Sequence, residues 1–158
     1  MSEGDRQTTI LTLCIALLLG GAAGLGLFTV SYADSLSYLS DDAKACANCH
    51  VMQGHFDAWI KSSHGKFAGC NDCHAPHDNA VSKYYAKARN GFLHSLAFTT
   101  GEYPHNIRIN DFNRNIAENA CRHCHSAVTH GIEPSESFGG DPDALVCTKC
   151  HPTVGHDK

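Results

Sequence analysis

The residues with the clearest chemistry are pairs of cysteines three positions apart, each followed at once by histidine. This pattern is typical of c-type haem attachment, because the two thiols form thioethers with the porphyrin and the histidine is placed to reach the iron. The four motifs are Cys46–Cys49–His50, Cys70–Cys73–His74, Cys121–Cys124–His125 and Cys147–Cys150–His151. They predict four covalently bound haems, whose iron is the metal of this chain.

Cysteine usage favours haem over zinc. Eight of the nine cysteines belong to the motifs and only Cys14 is left, so no pair remains for an ordinary disulfide. Zinc ribbons also use paired cysteines, but tetrahedral zinc does not require a histidine directly after each pair. We interpret Cys14, which lies inside an apolar run, as a small apolar filler.

Histidines outside the motifs are candidates for the second ligand of each iron. An iron with two strong protein ligands carries electrons, whereas one with an open position binds small molecules. Of the twelve histidines, His64 and His156 are the better placed, while His123 lies between two motif cysteines and is interpreted as a surface histidine. Spacing leaves five others undecided: His55, His77, His94, His105 and His130.

The elements that position these residues are predicted to be short helices and loops. Residues 34–158 give about 31 residues per haem, too few to bury a large core without the cofactor. Motif starts are 24, 51 and 26 residues apart, which predicts two di-haem halves. We expect a mainly α domain with much loop and almost no sheet. Val81–Thr99 is the longest helix candidate outside the membrane, followed by a loop over Thr100–Arg114.

One segment is long enough to cross a membrane. No charge occurs between Arg6 and Asp34, and Ile10–Val30 is a 21-residue apolar run. We therefore predict a cytoplasmic cap and transmembrane anchor over 1–33 and a tetrahaem domain over 34–158. Because c-type haem is normally attached outside the cytoplasmic membrane, we expect a single-pass protein of the inner membrane with its haem domain in the periplasm.

The same segment has two further interpretations. Gly20, Gly21, Gly24 and Gly26 form a small-residue face that would permit self-association or contact with a partner's anchor in the lipid bilayer. The small residues around Ala33 also suit signal peptidase, which would release a soluble carrier. The length of the run and the lack of a positively charged flank favour an uncleaved anchor.

Several of these features together resemble the NapC/NirT family of membrane quinol dehydrogenases. The resemblance is carried by Cys46-Ala-Asn-Cys-His50-Val-Met52, by Ser63-His64, by Cys70-Asn-Asp-Cys-His74-Ala-Pro-His77, by Lys83-x-x-x-Lys87-Ala-Arg89 and by the single anchor. Within the family the chain is similar to the small tetrahaem subunit of cytochrome c nitrite reductase. The resemblance implies a cytochrome that oxidises a menaquinol-like quinol and passes electrons to a periplasmic multihaem nitrite reductase, as an electron-transfer subunit rather than a stand-alone catalyst.

The resemblance also implies iron ligands. These are Met52 on the first haem, His74 with His156 on the second, His125 with His64 on the third, and His151 on the fourth. Ligation of the first haem by His50 is the alternative to Met52; a thioether is the weaker donor and would raise the potential. The second ligand of the fourth haem would be a lysine of the docked catalytic subunit, or else His130 or His105.

A quinol pocket is implied at Lys83 and at position 90, two helical turns apart on one helix face. The family has an acidic residue at the second place, whereas this chain has Asn90, which hydrogen-bonds but accepts no proton at neutral pH. The proton would then pass to Lys83, to water or to another carboxylate such as Asp78.

Other function classes fit the sequence less well. The net charge is −4 without a block of basic residues, which argues against a nucleic-acid partner. A multihaem carrier, soluble or anchored, that serves another periplasmic reductase is the main alternative. A terminal reductase with its own catalytic haem is disfavoured, because the chain is small and no motif carries lysine in place of the final histidine.

Overall fold

We analysed a computed structural model of the chain, which describes residues 2–104, 106–132 and 145–156. The described residues form helices and loops and contain no strand, which confirms the predicted mainly α fold. The helices are α1 (Glu3–Tyr32), α2 (Ala43–Ala47), α3 (Gln53–Lys61), α4 (Cys70–His74), α5 (Ala80–Thr100), α6 (Asp111–Cys124), α7 (Ser126–Ile132) and α8 (Cys147–Cys150). Short 3₁₀ turns lie at Ser35–Leu39 and His50–Met52.

The chain divides into two compact units, Met1–Ser37 and Tyr38–Lys158. The first consists mostly of α1, which is long and apolar enough to cross a membrane, with a mean hydropathy of 2.3 over its most apolar part. A capping box starts the helix: Ser2 Oγ accepts from the Asp5 amide at 3.2 Å, and an Asp5 carboxylate oxygen accepts from the Ser2 amide at 3.0 Å. Asp34, with a φ of 46°, stops it.

In the second unit, local sequence signals fix the helix ends. Asn79 caps α5 by accepting from the Ser82 amide at 2.9 Å, and Gly101 ends the helix in the left-handed region at a φ of 74°. The predicted loop over Thr100–Arg114 is wrong in its last part, because α6 starts at Asp111. Asn110 caps this helix by accepting from the Asn113 amide at 2.9 Å.

The second unit has little apolar core of its own. Among the described residues, the buried apolar side chains are Ala75, Ala86, Ile116, Ala117 and Ala120. Large apolar side chains are exposed instead, including Phe67 at 87% and Val81 at 81%. A unit that buries so little apolar surface needs another source of stabilisation. A covalently attached porphyrin supplies such apolar surface.

Candidate functional site

Each predicted attachment motif lies on or beside a short helical segment. Helix α4 carries the second motif, the last turn of α6 the third and α8 the fourth, so that paired cysteines three residues apart lie on one side. The first motif differs, because α2 ends at Ala47 and Cys49 is extended. His50 then opens a 3₁₀ turn that ends at Met52. His50 is exposed and Met52 half-buried, and the choice between them as iron ligand stays a prediction.

The motifs come together in pairs. Helix α2, which contains Cys46, packs against α4, which starts at Cys70, and α6, which ends at Cys124, packs against α8, which starts at Cys147. The first and second attachment sites are therefore neighbours, and so are the third and fourth. Helix α4 packs on α6, which connects the two pairs. This arrangement agrees with the pairing of motifs that their spacing predicts.

Two histidine pairs face one another at the separation that a shared iron would set. The ring centres of His74 and His156 are 6.1 Å apart with planes inclined by 10°, and those of His64 and His125 are 6.0 Å apart at 69°. Two metal–nitrogen bonds of about 2 Å, each with about 1 Å from nitrogen to ring centre, add up to about 6 Å. These are the two pairs that the family resemblance implied.

His74 has the environment of a neutral ligand. Its side chain is exposed, and the ring of His156 faces it. Desolvation by neighbouring protein atoms, followed by the charges of His156 and His55, lowers the pKa of His74 to about 4. The imidazole is therefore neutral at physiological pH, which is the form that binds iron. His55 adds to this group, with its ring centre 4.8 Å from that of His156.

The remaining histidines have other partners. His77 stacks on His123, with ring centres 4.6 Å apart and planes 11° apart, and a His77 ring nitrogen lies 2.7 Å from the Asp72 carbonyl. His123 thus contacts another ring rather than solvent alone. His151 is exposed at the end of α8 and makes no ring contact within the described residues. His105 and the side chain of His130, its predicted alternative partners, lie outside the described residues.

Arg89 carries a buried donor that would suit a haem propionate. Its guanidinium lies 4.2 Å from the centre of the Phe112 ring, and its buried Nη1 has no hydrogen-bond partner within the described residues. A buried donor without an acceptor is costly, and a carboxylate would satisfy it. Haem carries two propionates. Together with the paired cysteines and the histidine pairs, this donor fits c-type haem.

The proposed quinol residues do not contact one another. Lys83 is bound to Asp41, whose carboxylate oxygen lies 2.6 Å from Nζ. Asn90 is buried, with 8% of its surface exposed, and donates to Asn113 at 2.8 Å. Asp78, the carboxylate suggested as proton relay, accepts from Ser82 Oγ at 2.6 Å and from Asn79 at 3.2 Å, both beside the start of α5.

Asp41 is the functional candidate that sequence reasoning missed. It bonds to Lys83, to Lys87 at 3.0 Å and to Asn71 at 2.9 Å. The hydrogen bonds from Lys83 and then Lys87 lower the pKa of Asp41 to about 2, and Asp41 in turn raises the pKa of Lys83. Lys83 is therefore an ammonium at neutral pH and is no proton acceptor. The available sequence signal was a carboxylate directly upstream of the first motif.

A second carboxylate, Glu118 of α6, holds the fourth motif. It is 6% exposed and accepts from the amides of Cys147 at 2.7 Å and Thr148 at 3.1 Å, and from Thr148 Oγ1 at 2.6 Å. Burial alone raises its pKa, but the hydrogen bonds from Thr148 and Cys147 outweigh burial and lower it. Glu118 thus ties the helix of the third motif to that of the fourth.

A membrane-length helix followed by a small helical unit with paired haem-attachment motifs defines a membrane-anchored c-type cytochrome. A family model described as the NapC/NirT cytochrome c family, N-terminal region, matches residues 6–158. The chain therefore belongs to the NapC/NirT cytochrome c family. Covalently bound haem follows from that membership, and α1 is the membrane anchor.

Similar proteins come from two organisms. The chain is 41% identical to the cytochrome c-type protein NrfH of Wolinella succinogenes, over 87% of this chain and 81% of that relative. It is 28% identical to the cytochrome c nitrite reductase subunit NrfH of Nitratidesulfovibrio vulgaris, over 90% of this chain and 84% of that protein. A crystal structure of a cytochrome c nitrite reductase NrfHA complex bound to the inhibitor HQNO contains a similar chain. That chain is 28% identical with a TM-score of 0.62, covering 89% of this chain and 90% of its own length.

Proposed function

We propose that this protein is a membrane-anchored tetrahaem cytochrome c that oxidises quinol and delivers the electrons to a periplasmic multihaem nitrite reductase. The observation that carries this proposal is the similarity to NrfH over most of both chains, 41% identical in one relative and also present in a solved nitrite reductase complex. The paired attachment motifs and facing histidines support it.

The residues that would hold four haems follow from the motifs. The thioether bonds would be made by Cys46, Cys49, Cys70, Cys73, Cys121, Cys124, Cys147 and Cys150. The iron ligands would be Met52 on the first haem, His74 and His156 on the second, His64 and His125 on the third, and His151 on the fourth. Bound c-type haem supplies a one-electron carrier at its iron. The separations of 6.1 and 6.0 Å between the paired ring centres support the second and third of these sites.

The proposed topology places the haem domain, residues 34–158, in the periplasm and residues 1–33 in and below the inner membrane. This arrangement keeps the first motif close along the chain to the bilayer, where a hydrophobic quinol resides. Lys83 would take part in quinol binding as a hydrogen-bond donor. Asn90 would act only through its buried contact with Asn113.

The proposed catalytic partner is a multihaem nitrite reductase subunit. Support comes from the solved NrfHA complex, in which the similar chain is assembled with cytochrome c nitrite reductase. The second ligand of the fourth haem would then come from that partner. The exposure of His151 leaves its surroundings accessible to another protein.

Membranes that contain the intact chain provide the test. A reduced menaquinol analogue is added under anaerobic conditions and haem absorbance is followed, first without and then with nitrite. We expect rapid reduction, followed by reoxidation by nitrite only when the native partner is present, and we expect that partner to co-purify. No reduction of any haem would contradict the proposal. Reduction together with a partner other than nitrite reductase would instead identify a carrier for another periplasmic reductase.

A further inference from the structure

We propose that Asp41 and Lys83 together bind one hydroxyl group of the quinol, Asp41 as hydrogen-bond acceptor and Lys83 as donor. This inference rests on the proposed function, because it names residues of its quinol site. The starting observation is a carboxylate held between two lysines, 2.6 Å from Lys83 and 3.0 Å from Lys87, in the segment just before the first motif.

The two lysines differ in the donors that they leave free. Lys87 is 4% exposed, and its three ammonium hydrogens match three acceptors: the carbonyl oxygens of Leu39 at 3.1 Å and Ser40 at 2.7 Å, and the Asp41 carboxylate. Lys83 is 31% exposed, and within the described residues Asp41 is its one hydrogen-bond acceptor. Two ammonium hydrogens of Lys83 are therefore available to a ligand.

Asp41 has matching capacity as an acceptor. Its side chain is 58% exposed. One carboxylate oxygen accepts from Lys87 and Asn71, whereas the other, in the described part of the chain, accepts from Lys83 alone. Since each carboxylate oxygen accepts about two hydrogen bonds, the second oxygen keeps one position. A phenolic hydroxyl is both donor and acceptor, so it would donate to Asp41 and accept from Lys83.

The cluster adjoins the first two attachment motifs. Asp41 precedes Cys46 by five residues, and Asn71, next to Cys70, donates both to Asp41 and to the Ser40 carbonyl at 3.1 Å. The Cys46 thiol lies near the same cluster. Its pKa is lowered first by a hydrogen bond with Cys70 and also by the positive charge of Lys87. A quinol held at Asp41 would therefore lie near the first haem of the electron-transfer chain.

Oxidation of one quinol would break two O–H bonds and form two C=O groups. The two electrons would pass to the bound haems, and the two protons would be released to water. Asp41 accepts the hydrogen bond of the hydroxyl that loses its proton, which assists that loss, and the Lys83 ammonium stabilises the negative charge that develops on the oxygen. Because the lysines hold the pKa of Asp41 at about 2, the proton continues to water at the exposed side of the carboxylate.

A pair of matched substitutions tests the cluster in the membrane-bound holoprotein. Asp41→Asn removes the acceptor charge. Asp42→Asn removes the same charge one residue further along, and asparagine also serves at the helix cap where Asp42 accepts from the Lys44 amide. For each variant, three quantities are measured: haem content with dithionite-reduced absorbance, the rate of haem reduction by a menaquinol analogue, and the Kd of HQNO from its fluorescence.

We expect Asp41→Asn to retain its haems and full reduction by dithionite. Its quinol-dependent rate should fall about 10²-fold and its affinity for HQNO about tenfold. Asp42→Asn should change both by less than about twofold. Equal effects of the two substitutions would mean that only local charge matters, and the proposal would be overturned.

Asp41→Glu covers the case in which the asparagine variant does not accumulate. It keeps the charge that pairs with both lysines but moves the carboxylate by about one methylene, so we expect full haem content and a quinol rate lowered about tenfold. Unchanged quinol kinetics in this variant would overturn the proposal. If quinol reduced no haem even in the unmodified protein, the proposed function would fail. The role of the cluster would then be decided by HQNO binding alone: weaker binding in Asp41→Asn than in Asp42→Asn would support it, and equal binding would overturn it.

Discussion

Two carboxylates of the second unit form hydrogen bonds close to an attachment motif, but with different kinds of partner. Asp41 is 58% exposed and binds two lysines and an asparagine. Glu118 is 6% exposed and binds two backbone amides and a hydroxyl of the fourth motif. Asp41 therefore keeps one acceptor position that a ligand could use. The carboxylate of Glu118 is buried, and its hydrogen bonds go to the fourth motif. The difference agrees with the binding role that we propose for Asp41 and with a structural role for Glu118.

Neighbouring lysines repeat this contrast within one helix. Lys87 is buried and bonded to two backbone carbonyls as well as Asp41, while Lys83 is partly exposed and bonded to Asp41. One helical turn separates them. The same network therefore contains one lysine that is buried and stabilises the fold and another that is partly exposed to solvent.

The largest expected effect is at Glu118. Glu118→Ala leaves the amides of Cys147 and Thr148 without their acceptor in a buried place, which should lower the free energy of unfolding by about 3 kcal/mol. It should also reduce haem attachment at the fourth motif. Denaturant unfolding and haem content per chain measure both effects. Asp111→Ala, which removes an exposed carboxylate paired with Arg114 at 3.2 Å, should cost less than about 1 kcal/mol. Equal losses would contradict the structural role of Glu118.

The next largest effect is a difference in stability between substitutions at Lys87 and at Lys83. Lys87→Met leaves two backbone carbonyls and a carboxylate without their buried donor, and should lower the free energy of unfolding by about 2 kcal/mol. Lys83→Met should cost less than about 1 kcal/mol, because an exposed ion pair contributes little. The quinol-dependent rate should respond more strongly to Lys83→Met. Denaturant unfolding and quinol kinetics on both variants check this prediction, and the reverse order in stability would refute it.

Acid should affect the two carboxylates in different ranges of pH. A carboxylate whose pKa is lower in the folded state contributes stability above its ordinary pKa and loses it as the pH falls through the folded value. The advantage of the unmodified protein over Glu118→Gln should therefore shrink once the pH drops below about 4.5, the ordinary value for glutamate. Any advantage over Asp41→Asn should begin to shrink only below 3.8 and should be lost as the pH falls through about 2. Unfolding curves at a series of pH values measure both; a gap that widens on acidification would show that the assignment is wrong.

The smallest effect concerns the surroundings of the Asp41 cluster. A Cβ at Gly91 would lie 3.2 Å from a ring carbon of Tyr38, so Gly91→Ala forces the ring to shift and offsets the gain in helix propensity. We expect a change of less than about 0.5 kcal/mol. In α3, a Cβ at Gly54 meets nothing within 4 Å, so Gly54→Ala should stabilise by about 0.5–1 kcal/mol. Thermal unfolding distinguishes them, and a larger gain at Gly91 than at Gly54 would indicate that Tyr38 moves freely.

Helices were predictable from the sequence where a long periodic or apolar run carried the signal. The apolar run Ile10–Val30 became α1 (Glu3–Tyr32), and the predicted helix Val81–Thr99 became α5 (Ala80–Thr100). The start of α6 was missed although Asn110 offered a cap, because a single capping residue before a polar turn is a weak signal.

The chain's local chemistry was fixed by its sequence, because two thioether bonds and an axial histidine need only residues within one helical turn. The motifs, the apolar anchor and the scarcity of core-forming residues are all visible without coordinates. Tertiary structure alone decided which groups meet across the chain. Asp41 and Lys83, 42 residues apart, became an ion pair, while Lys83 and Asn90, seven residues apart on one helix, acquired different partners. Hydrogen bonds between distant residues depend on how helices pack, and residue spacing did not predict which side chains Asp41, Lys83 and Asn90 would contact.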